Sequence, residues 1–158
     1  MANRKWILMM VLSIAALIGC DEIDCTLYNT VFMRSTFYSD GSQISLTDTL
    51  TVGTGREARI LLNRMTGASD LTLPLSHWQE VDTLVLTVSG ENYLVEDTLW
   101  ITKTNTPYFE SPDCPTNVFH YITSVNSTHT FIDSVSILEP HVNYAQGENL
   151  RIHLYSAD

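Results

Sequence analysis

Val81-Asp82-Thr83-Leu84-Val85-Leu86-Thr87-Val88-Ser89, the link Gly90-Glu91-Asn92, and Tyr93-Leu94-Val95-Glu96-Asp97-Thr98-Leu99-Trp100-Ile101 decide the fold of this chain. Apolar side chains recur at alternate positions. Leu84, Leu86 and Val88 share one phase of the first run; Tyr93, Val95, Leu99 and Ile101 share one phase of the second, with Glu96, Thr98 and Trp100 opposite. Successive side chains of a strand point to opposite faces, so the alternation predicts two half-buried strands. A link as short as Gly90-Glu91-Asn92 joins them as a tight hairpin. The same period returns at Phe131, Val135 and Ile137, and at Leu150, Ile152 and Leu154.

On either side, turn residues such as Asp40-Gly41, Gly53-Thr54-Gly55, Thr66-Gly67 and Gln146-Gly147 punctuate the chain. Strands are expected near residues 26–38, 43–52, 57–64, 69–74, 81–89, 92–104, 117–126, 129–138 and 149–156. Short strands at this spacing, without a convincing helix, predict an all-β fold: an antiparallel two-sheet sandwich, with an immunoglobulin-like Greek key as the leading topology. A closed β-barrel is the alternative, because alternation alone does not separate a folded-over sheet from a closed one. Two segments break the pattern. Pro74–Asp82 reads as a polar crossover with room for one helical turn, and Thr104–Asn117, with Pro107, Pro112 and Pro115, reads as a long loop.

The chain of 158 residues opens with Arg4 and Lys5, an apolar run from Trp6 to Ile18, and Leu17-Ile18-Gly19-Cys20. Basic, then apolar, then small is the order of a secretory signal, and the run is too short to span a bilayer comfortably. Its end resembles the bacterial lipobox, which implies removal of residues 1–19 and acylation of Cys20. An ordinary cleaved signal with an incidental cysteine is the alternative. The expected organisation is a lipoprotein signal peptide at 1–19, an acidic tether at 20–25 (Asp21-Glu22-Ile23-Asp24) and one β-sandwich domain at 26–158. Acids directly after the cysteine also resemble the surface-export tag of Bacteroidota lipoproteins, although a solvated tether has the same composition. The formal net charge is −10, more negative once Arg4 and Lys5 are removed. Such a surface disfavours nucleic acid, so the expected partners are the membrane, through the lipid on Cys20, and an envelope protein or glycan.

With Cys20 assigned to lipid, Cys25 and Cys114 remain, and an oxidising compartment makes a disulfide the default. Two free thiols are the alternative, and no CxxC or HxxxH spacing supports zinc. Asp, a hydroxyl residue and an aliphatic recur as Asp48-Thr49-Leu50, Asp82-Thr83-Leu84, Asp97-Thr98-Leu99 and Asp133-Ser134-Val135. These triplets resemble acceptor sites of the O-glycosylation system of Bacteroidota envelope proteins, making Thr49, Thr83, Thr98 and Ser134 candidates; the plain reading is strand entry. His77, His120, His129, His141 and His153 lack recognised ligand spacing, although His120 and His129 could converge across one hairpin arm. No nucleophile elbow, phosphate-cradling glycine loop or EF-hand loop is present. No catalytic residue, metal site or cofactor other than the covalent lipid is therefore expected. His77, Trp78, Trp100 and Tyr108 are the candidate binding surface, since aromatics on loops or polar strand faces make stacking platforms.

The lipobox, Cys25, Asp48-Thr49-Leu50, Pro107-Tyr108-Phe109-Glu110-Ser111-Pro112-Asp113-Cys114, Phe119-His120 and Ile132-Asp133-Ser134-Val135 follow one another along the chain. In this order they are similar to Bacteroidota lipoproteins grouped as a domain of unknown function. The resemblance implies an envelope lipoprotein and supports the two-cysteine reading, and it implies no activity. The expected function is that of a non-catalytic binding or assembly module anchored in the outer membrane, on its periplasmic or surface face. It would work through the Thr104–Asn117 loop and the His77-Trp78 crossover. A carbohydrate- or peptide-binding accessory lipoprotein is the second reading, and a metal-dependent hydrolase the third.

Overall fold

The computed structural model describes residues 25, 31–55, 57, 59–112, 114–145 and 147–156. The expected signal peptide, the acylation site Cys20, the tether up to residue 24 and the first residues of the expected strand 26–38 lie outside the described residues. Eleven strands form among the described residues: β1 (Phe32–Ser39), β2 (Ser42–Gln43), β3 (Thr49–Thr54), β4 (Ile60–Met65), β5 (Asp70–Pro74), β6 (Val81–Ser89), β7 (Leu94–Tyr108), β8 (Asn117–Ser127), β9 (Ile132–Ile137), β10 (His141–Val142) and β11 (Leu150–Leu154). They build two separate ladders. One sheet has the order β2-β1-β11-β9, with β5 also on β1; the other has the order β10-β8-β7-β6-β3-β4. The expected sandwich is what forms, rather than a closed barrel. β6, β7 and β8 follow one another as a meander, and the first strand runs parallel to the last, with Phe37 opposite Ile152.

The core lies between the inward phases of the two sheets. Met33, Phe37, Leu71, Leu73, Leu150 and Ile152 from one sheet meet Leu50, Val52, Leu84, Leu86, Leu99 and Ile101 from the other, all buried. Completely burying a ring such as that of Phe37 contributes about 2–3 kcal/mol relative to leaving it in water. The hairpin between β1 and β2 uses Asp40 and Gly41, both at positive φ (50° and 76°), the conformation of a two-residue turn whose twist matches its strands.

Three expectations need correction. Tyr93 lies before β7 and is exposed; its ring covers Gly90, where an added Cβ would stand 2.2 Å from the ring, and its hydroxyl donates to Asp48. On β9 Ile132 is fully buried and Ile137 is exposed, while Phe131, just ahead of the strand, is partly buried against the core. The register shifts between His153 and Leu154, so Ile132 pairs with Leu154 and the inward phase moves by one residue. Finally, β7 continues to Tyr108, where Thr104–Asn117 read as a loop. Pro107 is tolerated because β6 stops pairing at Thr102, so one edge of β7 needs no amide there.

The described strands pass between the sheets six times, and the amides at each passage need partners outside the ladders. At the β8–β9 passage the partner is Asp97, 1% exposed on β7. Its carboxylate accepts from the Thr128 hydroxyl and from the amides of Thr130, Phe131 and Ile132 at 2.9, 2.7 and 2.8 Å. Burial alone would raise the Asp97 pKa, but these four donors together lower it. Asn149 plays the same part where β9, β10 and β11 meet β1. Its Oδ1 accepts the Arg34 amide at 2.9 Å, and its Nδ2 donates to the carbonyls of Glu139 and His141 at 2.9 and 3.0 Å.

Asp97→Ala leaves the amides of Thr130, Phe131 and Ile132 without their acceptor and is expected to cost about 2–4 kcal/mol in urea unfolding. Because the folded pKa lies below the unfolded value of about 3.9, Asp97 stabilises fully at neutral pH. That contribution is lost as pH falls through the folded value. The variant should therefore show a shallower acid limb in stability measured against pH.

Candidate functional site

Lys103 shares the inward phase of β7 with Leu99 and Ile101 and is 1% exposed. A buried ammonium needs its three protons satisfied and its charge balanced. Here Nζ donates to the carbonyls of Ser76 and Gln79 at 2.5 and 2.7 Å and to Asn105 Oδ1 at 2.8 Å. Asp82 Oδ2 stands 3.3 Å away, and the Asp82 carboxylate also accepts the Ser76 amide. Burial outweighs mutual attraction on both partners: the Asp82 pKa is raised and the Lys103 pKa lowered. The consequence is mechanical. The link 75–80 carries no helical turn; its buried Leu75 and the Lys103 ammonium hold it, and Asn105 Nδ2 adds a bond to Gln79 O at 2.9 Å. Between the gripped carbonyls of Ser76 and Gln79, the side chain of Trp78 is 92% exposed.

His120, buried on β8, faces the same cluster. Asn105 Oδ1 can only accept, so the 2.8 Å contact places the proton on His120 Nδ1. Nε2 is buried and meets no hydrogen-bond partner among the described residues. Burial, then the Lys103 charge, then His77, push its pKa down to about 4, which keeps the ring neutral. Its ring neighbour is His77, with centroids 6.0 Å apart. His129 instead sits in the β8–β9 turn, 2.8 Å from the Asp133 carbonyl, so His120 and His129 do not converge. Beside the link lies an open cavity of about 490 Å³, lined by His77, Trp78, Gln79 and Asp82 together with Glu57 and Arg59.

The arm formed by the ends of β7 and β8 completes this end of the molecule. Tyr108 stacks on Phe119 with centroids 4.5 Å apart, and Tyr144 packs edge-on to Phe119 at 5.0 Å. Beyond them Phe109 is 67% exposed. Cys114, in the link between the strands, is bonded to Cys25, with Cα atoms 5.7 Å apart and 89 positions between them in sequence. The expected bridge therefore joins the arm to the chain ahead of β1. Register places the 75–80 link, the 55–59 link and this arm at one end: Val81 pairs with Thr102, Thr54 with Leu84 and Tyr108 with Asn117. His77, Trp78 and Tyr108 thus lie toward the same end, Tyr108 six residues beyond Thr102 along β7. Trp100 is not; it faces outward from the middle of the sheet, between Thr83 and Asn126.

The triplet hydroxyls divide by environment. Thr49, Thr83 and Thr98 are half-buried within the six-stranded sheet, while Ser134 is exposed on β9. Two of the triplet aspartates, Asp82 and Asp97, are buried partners of Lys103 and of the β8–β9 turn. Sequence reading passed over Asp97, Lys103, Asn105 and His120 as a group. The available signal was phase: positions 95, 97, 99, 101 and 103 share a face, and a charge on an apolar face requires a partner. Among the described residues, no group of three or more His, Cys, Asp or Glu is placed to hold a metal.

A family model described as a family of unknown function (DUF6452) matches residues 48–154. No curated protein and no solved structure matches the chain.

Lys103→Met leaves Asp82 and two carbonyls without their partner and is expected to cost about 3–5 kcal/mol in urea unfolding. Adding Asp82→Leu should recover part of that loss. Cys114→Ser should abolish the mobility difference between reduced and non-reduced protein on a gel and lower stability by about 2–5 kcal/mol.

Proposed function

The chain belongs to that family, DUF6452, and from the lipobox-like stretch ending at Cys20 we propose that it is an acylated envelope lipoprotein of the Bacteroidota type. Its β-sandwich is a non-catalytic binding or assembly module. The working surface is the end that carries the 75–80 link and the β7–β8 arm. One observation carries this reading: an almost fully exposed tryptophan sits on a link that a buried ammonium holds in place. Two structural features are spent on presenting one apolar side chain to the outside, as interaction surfaces do. The Cys25–Cys114 bridge supports the extracytoplasmic part, because disulfides persist in oxidising compartments.

A second reading has its own support. The open cavity of about 490 Å³ beside Trp78 has the size of a small-ligand site, with charged and amide groups at its wall. That favours a glycan or peptide ligand stacked on Trp78, in an accessory binding role. Among the candidate acceptor sites, Ser134 on the exposed edge strand has the room for an O-linked sugar.

The test of the main reading begins with the lipid. In cells given a radiolabelled fatty acid, the wild-type protein should carry label and partition into detergent, beginning at Cys20. Cys20→Ser should lose the label and keep residues 1–19. An unlabelled, water-soluble wild-type protein overturns the lipoprotein assignment. Purification from native envelopes followed by mass spectrometry then compares wild type with Trp78→Ala; a co-purifying component lost only from the variant supports this end as the working surface.

A further inference from the structure

We propose that the end of the sandwich carrying Trp78 and Phe109 lies against the lipid surface that holds the anchor, with the Cys25–Cys114 bridge fixing that orientation. The inference rests on the reading of Cys20 as the acylated residue, and deepens it by naming the partner of the working end as lipid.

Reach comes first. Five residue steps separate Cys20 from Cys25, at most about 18 Å even when fully extended. The fifteen residues of β7 alone span about 50 Å. Cys25 is bonded to Cys114 in the link between β7 and β8. A lipid on residue 20 therefore holds that link near the bilayer, whereas the opposite end, with the Gly90–Tyr93 link, stands a strand's length away. Without the bridge, Cys25 would not be tied to Cys114, and the arm would lose its fixed place beside the anchor.

Chemistry agrees with reach. The end brought to the membrane exposes Phe109 at 67% and Trp78 at 92%. They lie on two different links, one held by the bridge and the other by Lys103. Tyr108 sits beside Phe109 with its ring partly covered by Phe119. Tryptophan and tyrosine favour the boundary between headgroups and acyl chains, where an apolar ring and a polar N–H or O–H are both accommodated. Separate rings on separate links suit a fluid surface better than one shaped protein partner. Among the described residues of these links the charges are Glu57, Glu80 and Glu110 against Arg59. They disfavour anionic headgroups, so the contact is apolar and suited to zwitterionic lipid.

The mature lipidated protein, reconstituted in phosphatidylcholine–phosphatidylethanolamine vesicles with bromines high on the acyl chains, tests this. Downstream of residue 20 the tryptophans are Trp78 and Trp100. Trp100→Phe leaves Trp78 as the reporter, and Trp78→Phe leaves Trp100. Both variants should float with the vesicles. Trp78 emission should shift to the blue and lose about half its intensity to bromine, with Trp100 changing by less than about a tenth. Equal quenching of the two, or of neither, in protein that floats overturns the proposal and leaves the anchor standing. Protein that does not float overturns the anchor and the proposal with it. Adding Cys25→Ser and Cys114→Ser should leave flotation intact and erase the contrast between reporters; an unchanged contrast overturns the role given to the bridge.

Discussion

Backbone amides at the passages between layers are the constraint on which this fold depends. A sandwich whose described strands change sheets six times must satisfy those amides and carbonyls away from water. Hydrophobic burial holds the two faces together but has no direction, so it cannot place a crossing link. Three buried polar side chains do so. Asp97 collects the amides of residues 130–132, Asn149 joins Arg34 to the Glu139 and His141 carbonyls, and Lys103 takes the carbonyls of Ser76 and Gln79. Each sits on or beside a strand of one layer and holds a segment that leaves it.

Viewed this way, the site and the scaffold are one arrangement. The Lys103–Asp82 pair is costly to desolvate, a cost that an apolar pair of similar shape would not carry. What the ion pair supplies is a defined position for the carbonyls on either side of Trp78. Neutral His120 fits the same logic: its Nδ1 proton completes the acceptor capacity of Asn105, whose amide in turn fixes Gln79.

Much of this fold is written in the period of the sequence. β6 falls at 81–89 as the alternation predicts, and β8 lies within one residue of its expected limits. Local chemistry also marks Asp40-Gly41 as a turn. Other features are tertiary and leave no local trace. Pro107 reads as a strand breaker unless β6 is known to stop pairing at Thr102, and the phase of β9 depends on a register shift produced by its pairing with β11. For the site, the apolar and aromatic residues were visible singly. Their gathering was not, because it follows from which links share an end. The charged residues that organise them, Lys103 and Asp97, were marked only by occupying an apolar phase.

The parallel pairing of β1 with β11 carries a temporal consequence. Arg34 and Asn149, which exchange backbone and side-chain hydrogen bonds, are 115 positions apart. Contacts this distant in sequence close late, since the intervening loop must lose its freedom before the contact stabilises anything. The β6–β7–β8 meander, built from neighbouring segments, has no such wait. A chain delivered from its amino end thus carries β1 unpaired along one edge until β11 has emerged, and completion of the smaller sheet waits on that pairing.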